Sequence, residues 1–292
     1  MELHQLRYFV SVADHENFTR AAEKCFVAQP SLSQQIIKLE KELGGPLFDR
    51  TARKVRLTDA GRKFYQRAVL ILGSVEAARQ ELLEEDGSGR IAIGAIPTLA
   101  PYLLPSLLKD FVQSYPEAEV SVYENLTQFT IQACLEGEID VGFLALPVES
   151  AQLEVEPLFS EELLLAMSAD HALAGQKRIT MKHIMEEPFV LLSEAHCLGE
   201  QIVSFCKQSS CLPSVSCHSA QLLTVQEMVG LGHGVSLIPR MAADADRSDK
   251  RCYRSLSGKK PTRTIAMISR SHRHQTRLVR EFMQQARASL RK

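Results

Sequence analysis

This 292-residue chain contains seven cysteines, and their side chains are the ones that could take part in the most varied chemistry. Two of them, Cys197 and Cys206, lie nine residues apart in the segment SEAHCLGEQIVSFC. A thiolate can attack an electrophile, bind a metal or form a disulfide, whereas a protonated thiol in a core behaves as a small apolar side chain. Because the chain begins with no basic and apolar leader, we expect a reducing, cytoplasmic compartment in which each thiol is free or functional.

A metal site is one use for such a cluster, but the spacing argues against it. The segment and its neighbours contain six possible ligands: His196, Cys197, Cys206, Cys211, Cys217 and His218. They lack the C-x2-C and H-x3-H spacings that are typical of zinc sites. We therefore expect no metal and no other cofactor, and we interpret Cys25, Cys134 and Cys252 as buried apolar residues.

Reactivity at Cys197 would require help from its surroundings. An unperturbed thiol is mostly protonated at neutral pH, whereas the thiolate is the nucleophile. The sequence predicts a helix from about Gly199 to Gln208. Its positive N-terminal end would favour a negative charge on Cys197.

The N-terminal region has the pattern of a helix-turn-helix unit. Apolar residues repeat with helical spacing over residues 3–13, and Asn17 is a suitable cap for a second helix over residues 19–25. Ser31 is the predicted cap of a third helix, which ends at Gly44. The predicted buried face of this third helix consists of Leu32, Ile36, Leu39 and Leu43.

A basic wing is predicted to follow these helices. Two short strands, over residues 47–50 and 55–57, flank the basic tip 51–54 and complete a winged helix-turn-helix. Residues 1–67 carry 12 Lys and Arg against 8 Asp and Glu, although the net charge of the whole chain is −1. This local excess indicates a phosphate-facing patch. A solvated helix face would carry the same charges, so charge alone leaves both interpretations open.

One long helical pattern runs from Asp59 to about Asp86. Its apolar stripe consists of Phe64, Ala68, Ile71, Val75, Ala78 and Leu82. A single helix of this length has no core of its own, so we expect a helix from a second copy to cover the stripe, with docking on its own chain as the alternative.

Strands and helices alternate from a hinge at residues 86–89 to the end of the chain, which predicts an α/β domain with largely parallel sheets. Residues 91–108 are uncharged over a length that could span a membrane. Three prolines interrupt this stretch, so we predict a strand and a proline-started helix there, and no membrane segment.

The segment FTRAAEKCFVAQPSLSQQIIKLEKELGGPLFDRTARKVRLTDAGRKF resembles the DNA-binding domain of the LysR-type transcriptional regulators, and MVGLGHGVSLIPRMA is similar to an element of their second lobe. The resemblance implies an α/β protein with three regions. These are a winged helix-turn-helix over residues 1–58, a linker helix and hinge over 59–89, and a two-lobed regulatory domain, similar to periplasmic binding proteins, over 90–292. Lobe I would comprise about 90–161 and 268–292, and lobe II about 162–267.

The same resemblance implies a homodimer or homotetramer that binds double-stranded promoter DNA and contacts RNA polymerase. The third helix would enter the major groove, while the wing would contact phosphates or the minor groove. The implied DNA-binding residues are Gln29, Pro30, Ser31, Ser33, Gln34, Lys38, Arg50 and Arg53.

The run HCL followed by FC is similar to the hydrogen peroxide-sensing OxyR branch of that family. This likeness implies that Cys197 is the peroxidatic thiol and Cys206 the resolving thiol, and that cellular thiol reductants reverse their disulfide. Four residues would bind peroxide or stabilise the thiolate, with Arg263 as the counter-charge: Thr98, Thr127, His196 and Arg263. Thr98 could instead simply cap the following helix.

Two features depart from that pattern or complicate it. Gly199 stands where a basic residue is expected, and Cys211 and Cys217 offer alternative pairings.

If Cys197 and Cys206 lie on one helix, their Cα atoms are roughly 13 Å apart, whereas a disulfide needs about 4.4 to 6.8 Å. The helix would therefore unwind when the bond closes, and we expect this refolding to change oligomer geometry and promoter binding.

Three functions remain compatible with the sequence. The first is a redox-switched regulator, the second a LysR-type regulator with a small metabolite inducer between its lobes, and the third a thiol-dependent peroxidase. The DNA-binding domain argues against an enzyme as the primary role, because a turnover enzyme has no use for it. Replacing Cys197 by serine would leave the second function intact and abolish the first.

Overall fold

The structure is a computed structural model, which describes residues 1–49, 55–83, 89–193, 196–208, 213–271 and 275–290. The chain forms two compact units, an N-terminal one and a larger one that begins near residue 86. Within the described ranges, no helix combines the length and the apolar character needed to cross a membrane.

The N-terminal unit is a small helical domain. Its helices are α1 (Leu3–His15), α2 (Phe18–Lys24), α3 (Gln29–Leu43) and α4 (Asp59–Leu83). Asn17 caps α2 as predicted, because its Oδ1 accepts hydrogen bonds from the backbone N–H groups of Thr19 and Arg20 at 2.8 and 3.1 Å. The core is built mainly from α1, α2 and α3, with Phe9, Leu32 and other apolar side chains fully buried.

Two details of α3 differ from the sequence prediction. The helix begins at Gln29, with Ala28 at the N-cap, so the prediction that Ser31 caps it is wrong. Pro30 lies in the first turn, where its missing N–H costs no hydrogen bond. Leu43 is 42% exposed instead of buried, because α3 ends there and the chain leaves the core through the left-handed Gly44.

The predicted wing is present as an antiparallel pair, β1 (Phe48–Asp49) and β2 (Arg56–Leu57). Its tip, with Arg50 and Arg53, lies outside the described residues. Helix α4 follows the wing and, at 25 residues, is about 37 Å long. Ala68 is buried against the core, whereas Ile71, one turn further on, is 37% exposed.

The larger unit contains the remaining elements. Its strands are β3 (Gly89–Ala95), β4 (Ala118–Glu124), β5 (Val141–Ala145), β6 (Leu153–Ser168), β7 (Pro188–Leu192), β8 (Ser214–Ser219), β9 (Ser236–Pro239), β10 (Arg251–Arg254) and β11 (Thr262–Arg270). Its helices are α5 (Ala100–Ser114), α6 (Thr127–Glu136), α7 (Met181–Ile184), α8 (Cys197–Gln208), α9 (Leu222–Gly230), α10 (Arg240–Ala245) and α11 (Arg277–Leu290).

The sheets are mixed, so the prediction of largely parallel sheets is wrong. Strand β3 pairs in parallel with β4 and β5, and β7 pairs in parallel with β8. The other pairs of the larger unit are antiparallel, because β11 returns along both β5 and β6, and β9 and β10 pair with β6. Strand β6 is 16 residues long and therefore serves both halves of the unit.

Two separate apolar cores divide the larger unit into lobes, in agreement with the two-lobed organisation that the resemblance implies. We call the half around the first core, drawn from residues 91–158 and 265–286, lobe I. The second core, drawn from residues 163–256, defines lobe II. The long strands β6 and β11 connect the two.

Candidate functional site

Cys197 and Cys206 both lie on α8, at its beginning and near its end. Cys197 is the first helical residue, half-buried, and packs against the core of lobe I. Cys206 is fully buried in the core of lobe II. Nine residues at 100° per residue place the two side chains on opposite sides of the helix, with Cα atoms roughly 13 Å apart. A disulfide between them is incompatible with an intact α8.

Helix α8 begins two residues earlier than the sequence predicts, at Cys197 instead of Gly199. The first turn packs directly on the end of β7, where a Cβ at position 199 would meet the carbonyl oxygen of Leu192 at 2.7 Å. Glycine therefore allows a close approach that the sequence pattern alone did not reveal. As a result, the positive end of the helix dipole lies at Cys197 itself.

Four of the predicted site residues line one small pocket. Thr98 lies in the turn between β3 and α5, and Thr127 is the first residue of α6. His196 and Cys197 reach the same pocket from the start of α8. The rest of the lining is apolar and consists of Ile96, Pro97 and Leu126. The N-terminal ends of α6 and α8 thus meet at one pocket.

Arg263 reaches this pocket only through Thr98. Its Nη1 donates a hydrogen bond of 2.8 Å to Thr98 Oγ1, and its Nη2 donates one of 3.2 Å to the Thr98 carbonyl oxygen. Thr98 is therefore not a helix cap: the N-cap residue of α5 is Leu99. Because Thr98 Oγ1 accepts from the guanidinium, its own proton is free to point elsewhere.

The charge of Arg263 already has a partner. Glu161 Oε1 accepts a hydrogen bond of 2.8 Å from Arg263 Nε and lies 2.7 Å from Nη2, and both side chains are almost entirely buried. The other oxygen, Oε2, accepts a bond of 3.0 Å from the backbone N–H of Met241 in α10. The structure thus keeps Arg263 away from the pocket lining and balances its charge within the protein.

Gln201 is a residue of this region that was not among the site residues predicted from the sequence. It lies one turn after Cys197, and its Nε2 donates a hydrogen bond of 2.9 Å to the carbonyl oxygen of Leu146, just beyond β5. Its Oε1 is buried, and no described residue donates a hydrogen bond to it. The spacing of four residues from Cys197 was the available signal, because it places both side chains on one helix face.

The residues predicted to contact DNA lie at the surface of the N-terminal unit where they are described. Ser33 is half-buried and the other five are exposed. The described members of this set are Gln29, Pro30, Ser31, Ser33, Gln34 and Lys38. They form a polar face of α3 opposite its buried Leu32, Ile36 and Leu39.

A second buried ionic cluster lies in lobe II, centred on Asp246. Its carboxylate accepts hydrogen bonds from Arg251 Nε and Nη2 at 2.5 and 3.0 Å, and also from the Tyr253 hydroxyl and the Ser248 backbone N–H. Burial alone would raise the pKa of Asp246, but these hydrogen bonds outweigh it and lower the pKa to about 2. This cluster supports the fold of lobe II.

Replacing Asp246 by asparagine is expected to lower the free energy of unfolding by at least about 2 kcal/mol at neutral pH. Because the folded pKa lies below the ordinary value of 3.8, the charge-dependent stabilisation is complete above about pH 4 and is lost as the pH falls through about 2. Urea unfolding of both proteins between neutral pH and about pH 3 measures this difference. The exposed Asp244→Asn variant is the control, and an equal stability of Asp246→Asn and wild type at neutral pH would contradict the assignment.

Comparison with known proteins shows two family matches that together cover nearly the whole chain. Residues 3–62 match the family described as bacterial regulatory helix-turn-helix protein, lysR family. Residues 84–291 match the LysR substrate binding domain. The boundary between the matches falls near the junction of the two compact units.

Individual relatives match over similar lengths. The hydrogen peroxide-inducible genes activator of Dickeya chrysanthemi is 36% identical over 274 residues, which cover 92% of this chain and 90% of the relative. A full-length OxyR from Pseudomonas aeruginosa with a cysteine-to-aspartate substitution has a TM-score of 0.69 and 31% identity over 100% of this chain and 95% of that one. A Corynebacterium glutamicum OxyR with a cysteine-to-serine substitution and bound H2O2 has a TM-score of 0.64 and 30% identity, over 99% and 91%.

Proposed function

Because this chain belongs to the LysR family of bacterial transcriptional regulators, we propose that it is a DNA-binding regulator that senses hydrogen peroxide through Cys197. The comparisons with peroxide-responsive relatives support this function over a metabolite-induced regulator. The matched relatives are also regulators, not enzymes. The observation that carries the proposal within this chain is that Thr98, Thr127 and His196 line the same pocket as Cys197.

The first chemical step is attack of the Cys197 thiolate on one oxygen of hydrogen peroxide. An S–O bond forms and the O–O bond breaks, which gives a sulfenic acid and hydroxide, and the hydroxide takes a proton to become water. The hydroxyl of Thr98 can donate to peroxide because its oxygen accepts from Arg263. Thr127 and His196 orient the peroxide or the leaving hydroxide from the other sides of the pocket.

Arg263 acts in this scheme as a positioning residue. Its pairing with Glu161 balances the guanidinium charge, so the arginine holds Thr98 instead of serving as a direct counter-charge to the thiolate. This role replaces the one that the resemblance implied. The two helix N-termini at the pocket supply the favourable field for the anionic sulfur.

The second step joins Cys197 to Cys206. The Cys206 thiol attacks the sulfenic sulfur, an S–S bond forms, and the sulfenic oxygen leaves as water. Since the two side chains lie on opposite sides of α8, closing the bond requires α8 to unwind. Unwinding would release the packing of Gly199 on β7 and the Gln201 hydrogen bond to Leu146, and so alter how the two lobes are held together.

Replacing Gln201 by alanine is expected to accelerate disulfide formation from the sulfenic acid about threefold to tenfold, because the variant lacks one hydrogen bond that opposes unwinding. Rapid mixing with peroxide, followed by acid quench and mass spectrometry, separates this step from sulfenic acid formation. Glu200→Ala, an exposed change one residue earlier, is the matched control. An unchanged or slower second step would show that the Gln201 bond does not restrain α8.

The switch is proposed to act on an oligomer at promoter DNA in the cytoplasm. The exposed Ile71 on α4 supports pairing of this helix with a second copy in a dimer or tetramer. We place RNA polymerase and cellular thiol reductants among the partners, the first to read the conformational change and the second to reverse it.

Footprinting tests the proposed function on a duplex that the reduced full-length protein selects from a random-sequence pool. We expect protection in the reduced state and a changed footprint after peroxide, restored by dithiothreitol. A footprint that is unchanged by peroxide but changes when a small metabolite is added would instead support an inducer-binding regulator.

A further inference from the structure

The turn between α2 and α3 holds a phenylalanine in an unfavourable place. Phe26 is 95% exposed, and its φ of 56° lies in the left-handed region. Its backbone N–H donates to Glu23 O at 3.1 Å, and that of Val27 donates to Ala22 O at 3.0 Å. These two bonds form a Schellman motif that ends α2 and requires the left-handed conformation at position 26.

Neither feature of Phe26 helps this chain to fold. Glycine and asparagine adopt the left-handed conformation with little strain, whereas a bulky side chain does not. An exposed aromatic ring gains no burial in return. The other described non-glycine residue with positive φ, Glu16, is polar and exposed at the end of α1. Where a residue violates the usual conformational or burial preferences and no contact within the protein offsets the cost, the residue most often lies at a functional surface.

The position of Phe26 indicates that a contact with DNA offsets the backbone strain and the exposure of the ring. Phe26 precedes the start of α3 by three residues, in the turn that leads into this helix, and Gln29 and Ser31 in the first turn of α3 are exposed. Exposed cations, Arg20 and Lys24, lie on the preceding helix α2. A ring without donors or acceptors cannot read most base edges, but the methyl group of thymine is an apolar feature of the major groove.

We propose that Phe26 is a specificity-determining residue whose ring packs on a thymine methyl group in the major groove next to α3. The proposal rests on the proposed function, in which the polar face of α3 meets promoter DNA. Contact with Phe26 would then select thymine at one position of each half-site, next to the bases that Gln29 and Ser31 reach.

A thymine-to-deoxyuridine scan tests this contact. Each thymine of the duplex selected by the full-length protein is replaced in turn, and affinity is measured by fluorescence anisotropy with wild type, Phe26→Asn and Phe26→Tyr. We expect wild type to lose about fourfold in affinity at the contacted thymine, which corresponds to about 0.8 kcal/mol for one methyl group. Phe26→Asn should bind the two duplexes equally, and Phe26→Tyr, which keeps the ring, should retain the discrimination.

Controls separate this contact from general effects. Leu43→Asn replaces an exposed apolar residue at the other end of α3 and should leave the scan unchanged. Phe26→Asn should also raise the melting temperature, because asparagine tolerates the left-handed backbone.

The proposal is overturned if Phe26→Asn keeps the full thymine discrimination, or if it weakens binding to every duplex equally. It is likewise overturned if only transcription activation falls, which would assign Phe26 to a protein partner. Gln34→Ala distinguishes failure of the proposed function: if it too leaves DNA binding unchanged, α3 does not face DNA.

Discussion

Replacing Cys197 by serine is expected to abolish the response to hydrogen peroxide while leaving DNA binding by the reduced protein intact. A serine hydroxyl is not ionised at neutral pH and does not attack an O–O bond, whereas its size is close to that of the thiol. The half-buried side chain at the start of α8 is therefore replaced with little disturbance. Peroxide consumption should fall to the slow background rate of the remaining thiols, and the peroxide-dependent change in footprint should vanish.

Two further cysteine variants make this result specific. Cys206→Ser should still consume one equivalent of peroxide but stop at the sulfenic acid, which dimedone traps. Cys252→Ser should behave as wild type, because burial raises the pKa of the Cys252 thiol and leaves it a poor nucleophile. A normal peroxide response in Cys197→Ser, or a lost one in Cys252→Ser, would contradict the assignment of the reactive thiol.

Replacing Arg263 by leucine should reduce both the stability of the protein and the rate at which peroxide oxidises Cys197. It leaves the Glu161 carboxylate buried without its cation, and breaking a buried ion pair in this way costs about 3 to 5 kcal/mol. It also removes the hydrogen bond that the Arg263 guanidinium donates to the Thr98 hydroxyl oxygen. We therefore expect a lower free energy of unfolding in urea and slower oxidation of Cys197 by peroxide.

A double variant separates the two consequences. Combining Arg263→Leu with Glu161→Gln removes the unpaired charge and leaves an amide oxygen that can still accept from Met241 N–H. Stability should then recover in large part, because the buried carboxylate is gone, while Cys197 oxidation should stay slow, because Thr98 is still unsupported. Recovery of both properties together would mean that Arg263 acts only through stability.

The sequence predicted which residues line the pocket better than it predicted the hydrogen bonds that hold them in place. Thr98, Thr127, His196 and Cys197 were identified through their flanking motifs and line one pocket. The role of Arg263 could not be derived in the same way, because it depends on Glu161, 102 residues away in the chain, which lies opposite Arg263 in the antiparallel pairing of β11 with β6. Pairing over such separations leaves no local pattern.

Errors in the secondary structure prediction have similar physical origins. Helix α8 begins at Cys197, two residues before the predicted start at Gly199, and Gly199 packs closely on Leu192, a contact that no local sequence pattern reveals. Ser31 has the chemistry of a helix cap, but α3 already begins at Gln29, where Pro30 fits the first turn. The parallel sheet prediction followed from the alternation of strands and helices, which does not reveal that β6 and β11 each pass through both lobes.

The proposed redox switch is tested most sharply by the disulfide that forms when fully reduced protein receives one equivalent of hydrogen peroxide. Peptide mass spectrometry after alkylation of the remaining thiols identifies the bonded pair. We expect a rapid Cys197–Cys206 bond, absent from both Cys197→Ser and Cys206→Ser, and loss of the α8 helix on oxidation. Unreacted thiols, or a bond that joins Cys197 to Cys211 or Cys217 in place of Cys206, would contradict it.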